Sequence, residues 1–213
     1  MPDLDDLRTR WTRTLAAARQ GPGPDPAPYA ERLLAQWAEP HRKYHTLDHL
    51  AAVLRHVDTL ADHAEDPELV RLAAWFHDAV YRPDRSENEE RSAAQAERAL
   101  PEAGLGQDAT AEVARLVRLT VTHDPHEGDT NGEALCDADL AVLAGDPEEY
   151  AAYAAAVREE YAFVPDAAFR DGRAAVLRQL LDLPRLFRTP YGAKEWEARA
   201  RENLTTELEL LRE

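Results

Sequence analysis

Apolar residues recur at steps of three and four along most of the chain, and this spacing is the feature that most constrains the fold. The clearest stripe follows Tyr44 and consists of Leu47, Leu50, Leu54, Val57, Ala61 and Ala64. Such spacing places a set of side chains on one face of an α-helix. No alternating run of β-branched residues bounded by turn residues, as a strand requires, occurs in the sequence. The pattern therefore predicts an all-α protein.

Turn and cap residues divide the chain into a series of predicted helices. In order, these cover 3–19, a segment after the proline-rich turn at 21–28, a segment after Tyr44, 67–77, 86–100, 108–122, 134–144, 147–160, 166–182 and 193–212. Ser86 and Glu89 have the spacing of a capping box, which predicts a helix start at Ser86. No break has the composition of an interdomain linker, and 213 residues suit one domain. We expect a single-domain helical bundle over 1–213.

The charge balance excludes several partners. The chain has 25 Lys and Arg against 41 Asp and Glu, a formal charge of −16, whereas a nucleic acid polymer requires a basic surface. One cysteine, Cys136, cannot form an internal disulfide and suits a reducing compartment. No apolar run approaches the ~18 residues of a membrane span, and the acidic N-terminus is unlike a signal peptide. We expect a cytoplasmic protein with neither a membrane nor a nucleic acid polymer as partner.

Several histidines and acids have the spacing of metal ligands. His45 and His49, four residues apart at the start of a helix, share one face. His56 and His63 continue that line, but each seven-residue step rises about 10 Å, so they cannot reach an ion held by His49. The adjacent His77 and Asp78 end an apolar helix, where polar groups are costly unless paired or ligated. A core histidine bonded to a backbone carbonyl is the alternative interpretation of His77.

Asp137 and Asp139 form a further candidate group. Two residues apart on a helix, their side chains diverge by about 200°, so only one of them should face a shared centre. The other would cap the helix or orient a ligand. The alternative is a simple N-cap at Asp137 and a surface acid at Asp139.

In combination, these motifs resemble the HD superfamily of metal-dependent phosphohydrolases. The order is Y-H-x-x-x-H, then W-F-H-D, then D-A-D-L. The resemblance implies a divalent metal bound by His49, His77, Asp78 and Asp139. YHTLDHLAAV is also similar to the YHNxxHAxDV motif of cyclic-nucleotide phosphodiesterases, and DADLA to their CADLS segment. That likeness favours Asp139 over Asp137 as the distant ligand and implies that His45 is the general acid.

A closer resemblance covers nearly the whole chain. The segments YHTLDHL, LAAWFHDAVY, ENEERSA, DADLAVL, REEY and ARENL are similar to a small bacterial group of predicted HD phosphohydrolases. It implies an HD-type bundle with a metal-binding core at about 40–145 and C-terminal helices 147–213 packed on it. In superfamily members that act on 5′-nucleotides, a Glu follows the HD Asp by three residues. Tyr81 stands at that position here, which argues against a nucleotidase of that type.

The donor set and nearby charges define the expected chemistry. Two imidazoles and two carboxylates suit Mn, Fe, Co, Ni, Zn or Mg, and the bound ion would activate water. The expected substrate is a small phosphorylated metabolite, with nucleotides the first class to test. Asp78 joins His45 as a catalytic residue. Candidates for binding the phosphate are Arg42, Lys43, Arg82, Arg85 and His123, and candidates for supporting the ligands are Asp137 and Glu89.

Two other functions fit the same pattern. His123 and His126, in the loop before the distant Asp, could bind a second iron, as in HD-fold diiron oxygenases. A helical domain that binds a nucleotide or another ligand without turnover is the other alternative. A homodimer is compatible with the sequence, as is a monomer.

Overall fold

Helices account for the regular structure of the chain. The computed structural model describes residues 2–19 and 21–212 and contains no strand in those ranges. The expected all-α, single-domain fold is thus confirmed. Across those ranges, no helix combines the length and the apolar character that crossing a membrane requires.

The helices follow one another with short connections. In chain order they are α1 (Leu4–Arg19), α2 (Ala27–Trp37), α3 (Leu47–Thr59), α4 (Pro67–Phe76), α5 (Asn88–Glu102), α6 (Gln107–Leu119), α7 (Thr130–Leu140), α8 (Pro147–Glu160), α9 (Asp166–Asp182), α10 (Pro190–Glu195) and α11 (Glu197–Leu210). A 3₁₀ turn at Ala141–Ala144 joins α7 to α8.

The predicted capping box at Ser86 and Glu89 is wrong. Helix α5 begins at Asn88, and no side chain caps its first turn. Instead, the buried Asn88 amide stabilises the preceding loop: it accepts from the Arg82 N–H at 3.0 Å and donates to the Arg82 and Arg85 carbonyls at 2.9 and 3.2 Å. The capping-box pattern failed because the Asn88 side chain forms hydrogen bonds with the backbone of the preceding turn, and the helix starts only after that turn.

Two other boundaries differ from the expected ones. Helix α7 begins at Thr130, four residues earlier than predicted, because the Asp129 side chain accepts from the Gly132 N–H and caps the helix. The predicted helix 193–212 consists of two, α10 and α11, which meet at Trp196.

A large apolar core lies under the first seven helices. Trp11 packs edge-on against Trp75 at 5.4 Å, and the Trp37 indole N–H donates to the Trp75 carbonyl at 3.0 Å. This buried cluster runs from Leu7 to Ala138. Helices α1 and α2 therefore belong to the same core as the segment at 40–145 that we expected to hold the metal.

A second apolar cluster lies under the C-terminal helices and is joined to the first. It runs from Leu143 to Leu208, and Trp196 packs against both clusters. The fully buried Asp137 ties them together, because it accepts from the backbone N–H groups of Arg188 and Thr189, each at 2.8 Å, and from the Thr189 hydroxyl at 2.7 Å. Gly192 is required beside it, since a Cβ there would meet Asp137 Oδ2 at 2.7 Å.

Replacement of Asp137 by Ala should destabilise the chain by about 3 kcal/mol, because buried N–H donors lose their acceptor. The measurement is the midpoint of urea unfolding at neutral pH. Asp124→Ala is the matched control: Asp124 pairs with the Arg188 side chain, but it is 71% exposed, and its loss should change stability by less than about 0.5 kcal/mol. Equal midpoints for the two variants would contradict the anchoring role.

Candidate metal centre

Three packed helices bring the candidate ligands together. His49 lies in the first turn of α3, His77 directly follows α4, and Asp139 lies near the end of α7. Each of these helices contacts the other two. The Trp37 ring lies beneath the two imidazoles, with ring centroids 6.1 Å from His49 and 5.4 Å from His77. The apolar stripes that form the core therefore also fix the positions of the polar cluster.

The donor atoms of His49, His77 and Asp139 converge on one point. His49 Nε2 lies 3.3 Å from His77 Nε2 and 3.2 Å from Asp139 Oδ1, and His77 Nε2 lies 3.5 Å from Asp139 Oδ1. Ligand atoms about 2.0–2.2 Å from a shared ion are about 2.8–3.6 Å apart at octahedral or tetrahedral angles. The three atoms therefore fit one divalent cation, and they form a group of the right composition to bind one.

The tautomer of His77 suits metal binding. Its Nδ1–H donates to the Ala74 carbonyl at 2.8 Å, which directs Nε2 toward the cluster, where a metal ion would replace the Nε2 proton. Metal-ligating histidines are commonly oriented by such a bond on the other ring nitrogen. The sequence left two interpretations of His77 open: a core histidine bonded to a backbone carbonyl, or a metal ligand. The geometry is compatible with both, because one ring nitrogen bonds to the carbonyl and the other faces the cluster.

The electrostatics of the cluster also favour a cation. Burial lowers the pKa of His49 and so keeps its imidazole neutral. Burial also lowers the pKa of His77, but the Asp78 and Asp139 carboxylates outweigh that effect and raise it well above its ordinary value. Burial raises the pKa of Asp139, yet the His77 charge and the bonds from His123 and His49 hold it well below its ordinary range. The carboxylates of Asp78 and Asp139 thus stabilise a positive charge on His77. A divalent ion bound between these side chains would replace that proton.

Asp78 lies between the ligand group and His45. Its Oδ2 is 3.1 Å from His77 Nε2 and 3.9 Å from both His49 Nε2 and His45 Nε2. The side chain is mostly buried at 12% exposure, less accessible than His45 at 22%. Asp78 is therefore positioned either to complete the donor set or to contact a molecule bound at it.

Glu160 fixes His45, and sequence reasoning missed this residue. Its Oε1 accepts from His45 Nδ1 at 2.5 Å, and its Oε2 accepts from the backbone N–H groups of Lys43, Tyr44 and His45 at 2.8, 2.9 and 3.2 Å. Burial raises the pKa of Glu160, but the bond and charge of His45, together with the Lys43 amide, lower it to about 2. Burial lowers the pKa of His45, and the Asp78 and Glu160 charges raise it above its ordinary value. The segment REEY, which contains Glu160, was the available signal.

Arg42 does not face a ligand, contrary to prediction. Its side chain is fully buried, and its guanidinium donates to the carbonyls of His45, Asp78 and Ala79 at 3.0, 2.8 and 3.0 Å. An arginine committed to three carbonyls is not free to bind a phosphate. It instead joins the loop that contains His45 to the turn after α4 that contains Asp78.

His123 contacts the cluster through Asp139. Its Nε2 lies 2.8 Å from Asp139 Oδ2, so one oxygen of Asp139 faces His123 and the other faces the two histidine ligands. Its φ of 50° is in the left-handed region, a strained conformation that tends to occur at functional sites. His123 thus orients Asp139, a different contact from the phosphate binding that the sequence suggested.

The remaining candidates lie apart from the three-ligand group. Lys43 pairs with Glu159 at 3.2 Å, and Asp137 anchors the 188–189 turn instead of supporting a ligand. Asp137 and Asp139 thus diverge as their spacing predicted. The structure leaves the other candidate side chains on the surface or in contact with α7: Arg82, Arg85 and His126 are exposed, Glu89 is half-buried, His56 contacts the Ala138 carbonyl and His63 contacts Glu133.

Comparisons with protein-family models, with curated proteins and with solved structures find no match for this chain.

Proposed function

We propose that the chain is a metal-dependent phosphohydrolase that acts on a small phosphorylated metabolite, with nucleotides as the first class of substrate. The observation that carries this proposal is the convergence of His49 Nε2, His77 Nε2 and Asp139 Oδ1 within 3.2–3.5 Å of one another. A buried set of two imidazoles and a carboxylate, with a second carboxylate at Asp78, suits a divalent transition ion. When bound, such an ion supplies Lewis acidity, which lowers the pKa of water and polarises a phosphoryl oxygen.

His45 is the general acid in this proposal. Glu160 holds its Nδ1, so Nε2 remains free to donate a proton. The Asp78 and Glu160 charges raise the pKa of His45 and so favour its protonated form, and Nε2 faces Asp78 Oδ2 at 3.9 Å. Proton transfer from Nε2 lets the leaving group depart as a neutral hydroxyl, which is easier to expel than an alkoxide.

Asp78 orients the attacking water. Its Oδ2 lies within 3.9 Å of the His49 ligand atom and of His45 Nε2. A carboxylate at this distance accepts a hydrogen bond from the nucleophile and aligns it for attack on phosphorus. Arg42 supports this arrangement, because it bonds to the carbonyls of both His45 and Asp78.

A cleft beside His49 is the proposed entrance for the substrate. It has a volume of about 290 Å³ and is lined by residues that include Lys43, Tyr44, His49 and Tyr153. The two tyrosine rings contact each other at 4.7 Å and offer an apolar wall for a base or another flat group. Lys43 lies at its edge, and its ammonium would have to leave its pair with Glu159 at 3.2 Å to contact a phosphate. Asp48 and Glu149 also line the cleft.

A phosphate-release screen tests this function. Metal-free protein is reconstituted separately with Mn, Co, Ni, Zn and Mg and assayed with nucleotides, cyclic nucleotides and simple phosphomonoesters. We expect release from at least one substrate class that requires an added ion and stops with EDTA. Release that persists in EDTA would contradict the proposal, and binding of a metal and a nucleotide without release from any substrate would indicate a binding domain.

The contact between His123 and Asp139 favours one second candidate, a diiron oxygenase. Asp139 presents one oxygen to each side, and His123 Nε2 at 2.8 Å could contribute to a second ion. About two irons per chain together with oxygen consumption would support it. Phosphate release with one Mn, Co or Ni would exclude it.

A further inference from the structure

A cleft between α2 and α5 has a charge opposite to that of the protein as a whole. It has a volume of about 410 Å³, and three arginines line it: Arg82 from the loop before α5, and Arg91 and Arg98 from α5 itself. Arg91 and Arg98 are seven residues apart, which places them on one helix face about 10 Å apart along the axis. The chain carries −16 overall, so this local positive charge requires an explanation.

The three guanidinium groups are unpaired. Within residues 2–19 and 21–212, none of them forms an ion pair or a hydrogen bond, although Arg82 uses its backbone N–H and carbonyl. A cleft lined by Arg10 and Arg71 differs in this respect, because Asp58 pairs with both arginines at 2.6 and 2.8 Å. Three arginines are thus available to an anion in the first cleft, whereas in the second only Arg13 is outside these pairs, and Asp58 and Glu68 line the same cleft.

The acid that lines the cleft is itself compensated. Glu39 Oε2 lies 3.6 Å from Arg42 Nε and 3.7 Å from His41 Nε2. Its charge is therefore shared with a buried guanidinium. The lining consequently remains positive.

The walls of the cleft are preorganised. Gln36 of α2 and Gln95 of α5 exchange two side-chain hydrogen bonds at 2.9 and 2.7 Å across it. Its floor includes Val80, whose N–H donates to the Ser92 hydroxyl at 3.0 Å, and Tyr81, whose carbonyl contacts His41. A fixed cleft with exposed arginines at its rim is suited to an anion, because only the arginine side chains would have to be ordered on binding.

We propose that this cleft binds the di- or triphosphate group of a small molecule, at a site separate from the metal centre. Guanidinium forks bind phosphate oxygens in pairs, and unpaired arginines spread along a groove match a chain of linked phosphates better than a single one. The volume suits a small ligand. None of the cleft-lining residues belongs to the ligand group of His49, His77 and Asp139.

Calorimetric titration with sodium tripolyphosphate tests this site in the full chain. EDTA is present so that the anion cannot bind through an ion. We expect Arg91→Ala/Arg98→Ala to weaken binding by about 20-fold or more, because charge-assisted bonds are lost. The matched control is Arg170→Ala/Arg178→Ala, which removes the same charge from exposed positions of α9 and should alter the affinity by less than about twofold. Equal weakening in the two double variants would overturn the proposal.

Two further measurements locate the anion and define its class. Hydrogen exchange with and without tripolyphosphate should show protection in peptides that cover residues 79–98, and protection confined to other segments would overturn the site. Inorganic orthophosphate should bind the wild-type chain at least about tenfold more weakly than tripolyphosphate, because one phosphate cannot reach all three guanidinium groups. Equal affinities would overturn the assignment to a linked phosphate chain. Both results are independent of whether the metal centre hydrolyses a phosphate ester.

Discussion

His77→Ala should abolish metal binding and reduce phosphate release by about a thousandfold or more, since the variant lacks a ligand and the ion supplies the Lewis acid. The His77 side chain is 1% exposed, and its Nε2 lies within 3.5 Å of the donor atoms of His49, Asp78 and Asp139. The remaining His49 imidazole and the carboxylates would bind cations only weakly, because one of the two imidazoles that select a transition ion is gone. The measurements are elemental analysis of the purified protein and initial rates of phosphate release.

Two comparisons separate metal loss from misfolding. Asp139→Asn keeps the shape of the side chain and removes only its charge, so we expect the same loss of metal with the helical circular dichroism unchanged. His126→Ala removes an exposed histidine of the loop before α7 and should leave metal content and rate within about twofold of wild type. Full metal content and full turnover in the His77 variant would refute the metal centre.

His45→Ala should retain the metal and lose about 10²–10⁴-fold in kcat, which is the usual contribution of a general acid. His45 Nε2 is 3.9 Å from Asp78 Oδ2 and, within the described residues, is not one of the three converging donors. Removing the imidazole therefore leaves the ion's ligands in place. Metal content by elemental analysis and kcat on a phosphate ester with an alkyl leaving group are the paired measurements.

The nature of the leaving group distinguishes proton donation from positioning. A 4-nitrophenyl ester departs as a stable anion and needs little protonation, so the His45 variant should lose much less activity on it than on an alkyl ester. Equal losses on the two esters would assign His45 a positioning role. Loss of the metal in this variant would instead make His45 a ligand, which contradicts the proposed division of roles.

The sequence predicted the helices because their stripes are local. The run from Leu47 to Val57 specifies α3 through side chains three and four residues apart, and the structure places it at Leu47–Thr59. The start of α5 was missed because the Asn88 side chain forms hydrogen bonds with the backbone of the preceding loop. The spacing of capping residues in the sequence does not indicate such bonds. The break at Trp196 was missed since its ring packs against both apolar clusters.

The convergence of the three candidate ligands could be predicted from the sequence, while the groups around them could not. His49, His77 and Asp139 belong to short motifs, and the divergence of Asp137 from Asp139 follows from helix geometry. Glu160 lies 115 residues from His45, so only the packing of α8 brings them into contact. The role of Arg42 could not be predicted from the sequence either. An arginine next to a motif looks the same in the sequence whether its side chain faces a ligand or, as in this structure, donates to three backbone carbonyls.

The central claim is that two histidines and Asp139 bind one divalent ion. Its most direct test is titration of the metal-free chain with Mn or Zn, followed by X-ray absorption spectroscopy of the loaded protein. The account predicts about one tightly bound ion per chain, with two histidine nitrogens among its ligands, and loss of that ion in Asp139→Asn. An ion whose ligands include no histidine, or one that binds the Asp139 variant as tightly as wild type, would contradict it.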